Sequence, residues 1–267
     1  MKSNKTKSFA SPSAVSLLAL ALLAGCAAAP EAGDKEAQAE WKQINDPAEP
    51  TNRNLHSFNQ GVDDNALKPM AEGYREYVPG NFRTNIRNVL TNLGEPVTAV
   101  NDVLQGEFLR AASAVGRFCV NSTFGFLGMG DVAGGGGMEH HTEDFGQTLA
   151  VWGVGEGPYM VLPILGPSNP RDATGFVVDR FMDPLSWVFP SMPLVASVSK
   201  GTVEAVDKRE KYIDPLNEIQ RTSLDYYASL RSLYRQKRAD DILNGKKGPA
   251  MPAPGLAYES KSGQAGN

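Results

Sequence analysis

A mainly α domain, with at most one small β-hairpin, is what this sequence predicts. Three observations carry that prediction. Apolar residues recur at a 3.6-residue period through much of the chain. Strand-like runs are scarce. Glycine- and proline-rich apolar stretches break the periodic segments often, and such stretches cannot form long regular helices.

In chain order, Leu55, Phe58 and Val62 fall at i, i+3 and i+7 and mark a first helix. Ile86, Val89, Leu90, Leu93, Val97, Val100 and Leu104 run on at helical spacing. Pro96 interrupts that run, so a kink or a fresh helix is expected near Glu95. Phe108, Ala112, Val115 and Cys119 continue on another helix, with Cys119 expected to be a small core residue. Tyr159 to Leu165 is the best strand candidate, and Pro163 limits it to an edge or a hairpin. Ser168-Asn169-Pro170 reads as a capped helix start before Phe176, Val177 and Phe181. Ile213, Leu216, Leu224, Tyr227, Leu230 and Tyr234 line one face of a long C-terminal helix. The opposite face carries Arg221, Asp225, Arg231 and Arg235 and is expected in solvent.

The ends differ from this body. Lys2, Lys5 and Lys7 precede the uncharged apolar run Ala14 to Leu23, too short for a comfortable membrane span and of signal-peptide length. Leu23-Ala24-Gly25-Cys26 follows in register and reads as a bacterial lipobox. Residues 1–25 are therefore expected to be a signal peptide, with diacylglycerol and an N-acyl chain on Cys26 as the only covalent groups and no other cofactor. Two or more acyl chains give stable anchoring. Ala27, where an aspartate would favour inner-membrane retention, suggests outer-membrane sorting. Residues 26–44 are expected to be a flexible linker and 244–267 a disordered tail, leaving 45–243 as one domain with room for a real core. Cys119 has no partner for an internal disulfide once Cys26 is acylated. A net charge of −4 gives no basic footprint for nucleic acid.

Chemical motifs are weak. Gly128-Met129-Gly130-Asp131-Val132-Ala133 fits a dinucleotide fingerprint but lacks the strand–turn–helix setting. Glu139-His140-His141-Thr142-Glu143-Asp144 reads as a polar helix entry capped by Thr142; adjacent histidines point apart and rarely chelate one metal. Gly166-Pro167-Ser168-Asn169-Pro170 misses a nucleophile elbow at its last position. Asp172 and Asp179, beside Arg171 and Arg180, read as solvated ion pairs and not as a carboxylate dyad. No catalytic or metal site is expected. Three apolar stretches, the one from Gly153 to Gly166 among them, stay open between burial and the acyl boundary of a membrane. Phe124 to Gly137 mixes large apolar residues with glycine, and Pro184 to Leu194 carries Trp187 and Phe189 as candidate interfacial anchors.

Many short motifs, in order, resemble one family. They include Asn45-Asp46-Pro47-Ala48-Glu49-Pro50, Asn52-Arg53, Phe58-Asn59, Gly73-Tyr74-Arg75 and Tyr77-Val78-Pro79. Asn92-Leu93-Gly94-Glu95-Pro96, Leu104-Gln105-Gly106, Asn121-Ser122-Thr123 and Asp144-Phe145-Gly146-Gln147-Thr148-Leu149 follow. Trp152-Gly153-Val154-Gly155, Gly157-Pro158-Tyr159, Leu162-Pro163 and Arg171-Asp172 complete the series. Over roughly Asn45 to Leu243 the chain resembles the MlaA (VacJ) lipoproteins. It departs from them at Thr51 and at Asp64-Asn65.

The resemblance implies a ring-like helical body in the inner leaflet of the outer membrane, anchored by lipid on the periplasmic side. It implies an amphipathic channel that removes phospholipid mislocalised to the outer leaflet and passes it to a soluble periplasmic carrier. It also implies association with a trimeric porin, and no enzyme activity. The family's channel or gate is expected here at Phe58, Asn59, Phe124, Phe126, Leu127, Met129, Asp131, Tyr159, Leu162 and Pro163, and its membrane rim at Trp187 and Phe189. A structural envelope lipoprotein that only scaffolds porins is the alternative.

Overall fold

The computed structural model describes residues 38, 44–184, 188 and 193–244. The lipobox and Cys26, Trp187, Phe189 and the tail after residue 244 lie outside the described residues. The fold is mainly α with one two-stranded hairpin, as the periodicity predicts. Helix α1 (Glu49–Val62) begins with an acidic residue and Pro50 in its first turn, both favourable there. A π-helical turn, Asp63–Leu67, joins it without a break to α2 (Lys68–Tyr77). Helices α3 (Gly80–Gln105) and α4 (Phe108–Thr123) form the most extensive helix pair. Short α5 (Val132–Gly135) and α6 (Phe145–Val151) follow. Strands β1 (Met160–Leu162) and β2 (Gly166–Ser168) pair antiparallel, Met160 opposite Ser168 and Leu162 opposite Gly166. Helices α7 (Pro170–Met182), α8 (Pro193–Lys211), α9 (Ile213–Thr222) and α10 (Tyr226–Leu243) close the body. No helix among the described residues is long and apolar enough to cross a membrane.

Several expectations are corrected. Pro96 does not start a new helix; α3 runs through it for 26 residues. Proline removes one ladder hydrogen bond, and the extensive packing on α4 holds the turns on either side. α3 ends at Gly106, whose φ of +81° is the left-handed cap that glycine adopts freely. The long C-terminal helix is two helices, because Asp225 leaves the helical path and its carboxylate caps Ala228 N–H at 3.1 Å. Leu224, in the break, is fully exposed instead of facing the core. Asp144, not Thr142, caps α6, accepting from the Gln147 amide at 2.9 Å.

The packing is inverted. Apolar burial among the described residues is confined mainly to alanines and one cluster of Tyr159, Val161 and Tyr227, against which Leu55 and Tyr234 pack. Buried polar residues outnumber these. On α3 the buried positions are Asn92, Glu95, Thr98, Ala99, Asn101 and Asp102, while Val100 and Val103 face outward. On α4 the buried positions are Ala111, Ala114, Arg117 and Asn121, while Phe108, Leu109 and Val115 are exposed. Cys119 is also exposed, not a core residue. Large apolar side chains in such numbers outside a core mark a surface that meets lipid or another apolar partner.

What joins the helices is therefore charge and hydrogen bonding. Arg117 Nε donates to Glu95 Oε1 at 2.7 Å, with both side chains essentially fully buried. Its other nitrogens reach Asp131 Oδ1 at 3.0 Å and the Met138 carbonyl. Arg238 binds Asp144 and Asp172 together at 2.6–3.0 Å, tying α10 to α6 and α7. Asp172 is thus half-buried and paired, not solvated; burial raises its pKa, but Arg238 and the Tyr234 hydroxyl outweigh this and hold it low. Asp179 accepts from the Phe145 amide and from Asn101, each at 3.1 Å, and burial lifts its pKa to about 6. Arg231 pairs with buried Asp46, and Arg235 with Glu156, so the polar face of α10 is spent on contacts instead of solvent. Two glycines allow α6 and α7 to touch: a Cβ on Gly175 would lie 2.3 Å from Gly146 N.

Candidate functional site

A cavity of about 1300 Å³ opens between α1, the π-turn, the hairpin and α7 to α10. Its volume exceeds the range of roughly 300–1,000 Å³ usual for compact small-molecule pockets. Most of its wall is apolar, supplied by Val62, Ala66, Leu67, Met70, Ile164, Leu165, Phe176, Phe181, Val198, Val206, Leu216 and Leu230. Polar groups are few: His56, Asn59, Gln60, Asp63, Arg180, Thr202, Arg209 and Tyr226. Such a wall suits a long amphiphile better than a compact polar metabolite.

One wall is fixed by asparagines on α1. Asn59 Nδ2 donates to the Leu162 carbonyl at 2.9 Å, and its Oδ1 accepts from the Ile164 amide at 2.7 Å. Two turns earlier, Asn52 does the same for Tyr159 O at 3.2 Å and Val161 N–H at 2.9 Å. At i and i+7 the two amides stand along one side of the helix and act as a surrogate strand for the hairpin. Ile164 holds a left-handed φ of +69° at the hairpin tip, an uncommon conformation for a β-branched residue, and projects as an exposed apolar side chain. Below, Tyr227 donates its hydroxyl to Asp46, and burial together with that carboxylate pushes the phenol well above the usual tyrosine range.

Besides Arg180, charge enters the cavity wall at one ion pair. Arg209 on α8 grips Asp63 of the π-turn through Nε and Nη2 at 2.7 and 2.9 Å. That hydrogen-bonded carboxylate raises the guanidinium pKa against the opposing effect of burial. His56 lies between the rings of Tyr226 and Tyr227, at 5.6 and 5.5 Å; burial, then Arg53, lowers its pKa, so it is neutral at pH 7.

The expected channel residues fall in two places. Asn59 lines the large cavity, and Leu162 and Pro163 stand beside it on the hairpin. Phe58 is on α1 but exposed. Tyr159 is buried in the apolar cluster, where its ring meets Tyr227 and Tyr234. The stretch Phe124–Asp131 borders α3 instead. Phe124, Phe126 and Leu127 are exposed and line neither cavity, with Phe126 and Leu127 at left-handed φ of 53° and 58°. Gly128, at φ +88°, lies so close to Asn92 that a Cβ would meet it at 2.8 Å. Met129 lines a second, smaller cavity of about 560 Å³ between α3 and α8, with Phe82, Leu93, Lys200 and Val203. Asp131 bonds Arg117 and Asn121 and caps Gly134 N–H; burial pushes its pKa up, but these donors more than offset it and hold the carboxyl low. His140 and His141 face different carboxylates, Glu95 at 3.2 Å and Asp102 at 2.8 Å, as side chains that point apart would. The sequence reading missed Asp63, Arg209, His56, Arg180 and Tyr226. Asp63 and Arg209 are far apart in the chain, so no local spacing marks them.

Comparison with known proteins places this architecture. A family model described as MlaA lipoprotein matches residues 44–241. The intermembrane phospholipid transport system lipoprotein MlaA of Escherichia coli (strain K12) is 37% identical over 232 residues, 85% of this chain and 87% of that protein. The protein of the same name from Haemophilus influenzae is 34% identical over 235 residues, 86% and 90% of the two chains. An uncharacterized protein of Rickettsia bellii is 34% identical over 207 residues, 75% of this chain and 78% of that one. A solved structure described as the structural basis for maintenance of bacterial outer membrane lipid asymmetry matches with a TM-score of 0.67 at 34% identity. That match covers 74% of this chain and 98% of the solved one. With the motif series, the helical body and these matches agreeing over most of the chain, the protein belongs to the MlaA lipoprotein family.

Proposed function

We propose that this protein moves phospholipid between membranes, drawing mislocalised lipid from the outer leaflet of the outer membrane and handing it to a soluble periplasmic carrier. The observation that carries the reading is the large, mostly apolar cavity with a few polar groups in its wall. A phospholipid needs an apolar bed for its chains and a polar post for its headgroup. The inverted packing supports the rest: exposed Phe82, Phe108, Leu109 and Phe124 suit contact with acyl chains, while charge pairs hold the helices from within. The lipid is moved intact, so the reading requires no bond-making chemistry. In this reading the chain sits on the periplasmic side, anchored through acylated Cys26, with Trp187 and Phe189 at the rim and a trimeric porin beside it. The stretch Phe124–Asp131 and the hairpin region around Pro163 serve the channel mouth.

The test is outer-leaflet phospholipid in a deletion strain, complemented with wild type or with Cys26→Ala. Phospholipid rising on deletion and falling only with the wild-type gene is the expected result. Unchanged outer-leaflet phospholipid would replace transport with the porin-scaffold reading.

A further inference from the structure

The large cavity has one tightly bonded charge pair in an otherwise mostly apolar wall. We propose that Arg209 reads the phosphodiester of a phospholipid held in this cavity, with Asp63 occupying the anion's place until the lipid arrives; this rests on the transport reading above.

Arg209 is only 8% exposed, yet it lines the cavity. Two of its nitrogens are held by the Asp63 carboxylate. Its Nη1 is buried with no acceptor among the described residues. A buried guanidinium nitrogen without an acceptor is costly and uncommon, so the carboxylate alone does not satisfy this arginine. A phosphodiester matches a carboxylate in the features that matter to arginine: one negative charge shared by two oxygens that face a planar fork. It can therefore replace Asp63 without changing the charge balance around the guanidinium.

Asp63 is suited to leave. Its side chain is 29% exposed, against 8% for that of Arg209, so it has water to turn toward. It is the first residue of the π-turn, and π-turns recur where helices carry functional side chains. The wall beside the pair is Val62, Ala66, Leu67 and Met70, apolar ground for acyl chains. Charge and chain recognition thus lie side by side.

The test uses the purified full-length lipoprotein in detergent, titrated with short-chain phosphatidylglycerol, with diacylglycerol of the same chains, and with inorganic phosphate. Wild type is expected to prefer the phospholipid to the diacylglycerol. Asp63→Asn, which removes the competing carboxylate, is expected to tighten phospholipid binding; a merely structural ion pair would not do so. Asp63→Asn combined with Arg209→Gln leaves no unpaired charge and is expected to reduce the preference by about tenfold or more, a loss typical of a charge-assisted hydrogen-bonded contact. Circular dichroism checks that the double variant is folded. Should it not fold, Arg209→Lys, which keeps the charge and loses the fork, is expected to lower the preference in its place. An undiminished preference in the folded double variant overturns the role of Arg209 and leaves the transport reading standing. Inorganic phosphate binding as tightly as the phospholipid overturns the lipid headgroup as the source of the anion. Wild type that binds neither phospholipid nor diacylglycerol overturns the transport reading itself.

Discussion

The α3–α4 pair and the corner where α1, the hairpin and α10 meet solve the same packing problem in opposite ways. At the corner, Tyr159, Val161 and Tyr227 bury apolar surface, and polar groups such as Asp46 stand around it. Between α3 and α4 the centre is Glu95, Arg117 and Asn121, and the phenylalanines and leucines stand outside. The corner can draw on the hydrophobic effect in water. The pair cannot, because its apolar faces are not the faces that meet. Its cohesion depends on each buried charge having its partner, which makes it sensitive to single losses.

Arg117→Leu is the severest test of that contrast. It leaves buried Glu95 without its arginine and with only His140 beside it, and should cost about 3–5 kcal/mol in chemical denaturation, the scale for losing one member of a buried pair. A loss below 1 kcal/mol would mean that the pair is not what joins α3 to α4. At the corner, Tyr227→Phe removes one donor from Asp46, which keeps Arg231 and Asn52, so about 1 kcal/mol is expected from the same assay. Asp179→Asn probes a carboxyl whose ionisation opposes folding. Its folded pKa of about 6 lies above the ordinary aspartate value of 3.8, so the native state holds the proton more tightly. Its contribution to stability falls as pH rises through that window. The variant, relative to wild type, should therefore gain in melting temperature between pH 4 and pH 7; a relative loss over that range would contradict the buried setting. Phe126→Glu, on the exposed outer stretch, should change stability by less than about 0.5 kcal/mol yet disable lipid removal in cells. Wild-type behaviour would remove Phe126 from the channel mouth.

The same contrast explains what could be read from the sequence. Helix positions were legible, because a 3.6-residue apolar stripe exists whichever way the helix faces. The direction of the stripe was not. Phe108, Val115 and Cys119 mark a face of α4, but periodicity does not say whether that face meets a core or a lipid. The hairpin was legible through Pro163 and the apolar run before it, and the cap of α7 through Asn169, which accepts from Asp172 N–H at 2.8 Å. The split before α10 had a usable signal in Asp225, a good capping residue, masked by the continuous apolar spacing on both sides. Of the site, Asn59, expected at the channel through the family resemblance, lies in the cavity wall. The pair of Asp63 and Arg209 was invisible, since only folding brings them together.

The π-turn at Asp63–Leu67 also acts as a phase shifter. Each residue of an α-helix advances the side chains by about 100°, so one residue absorbed in a wider turn offsets every later position by that angle. Asn65 Nδ2, donating to the Gly61 carbonyl at 2.7 Å, helps hold the widened turn. α1 can thus aim Asn52 and Asn59 at the hairpin while α2, continuing the same rod, aims Arg75 at Glu210 and Asp214. Deleting one residue here would leave a helix of nearly the same length and composition, geared to the wrong neighbour on one side or the other.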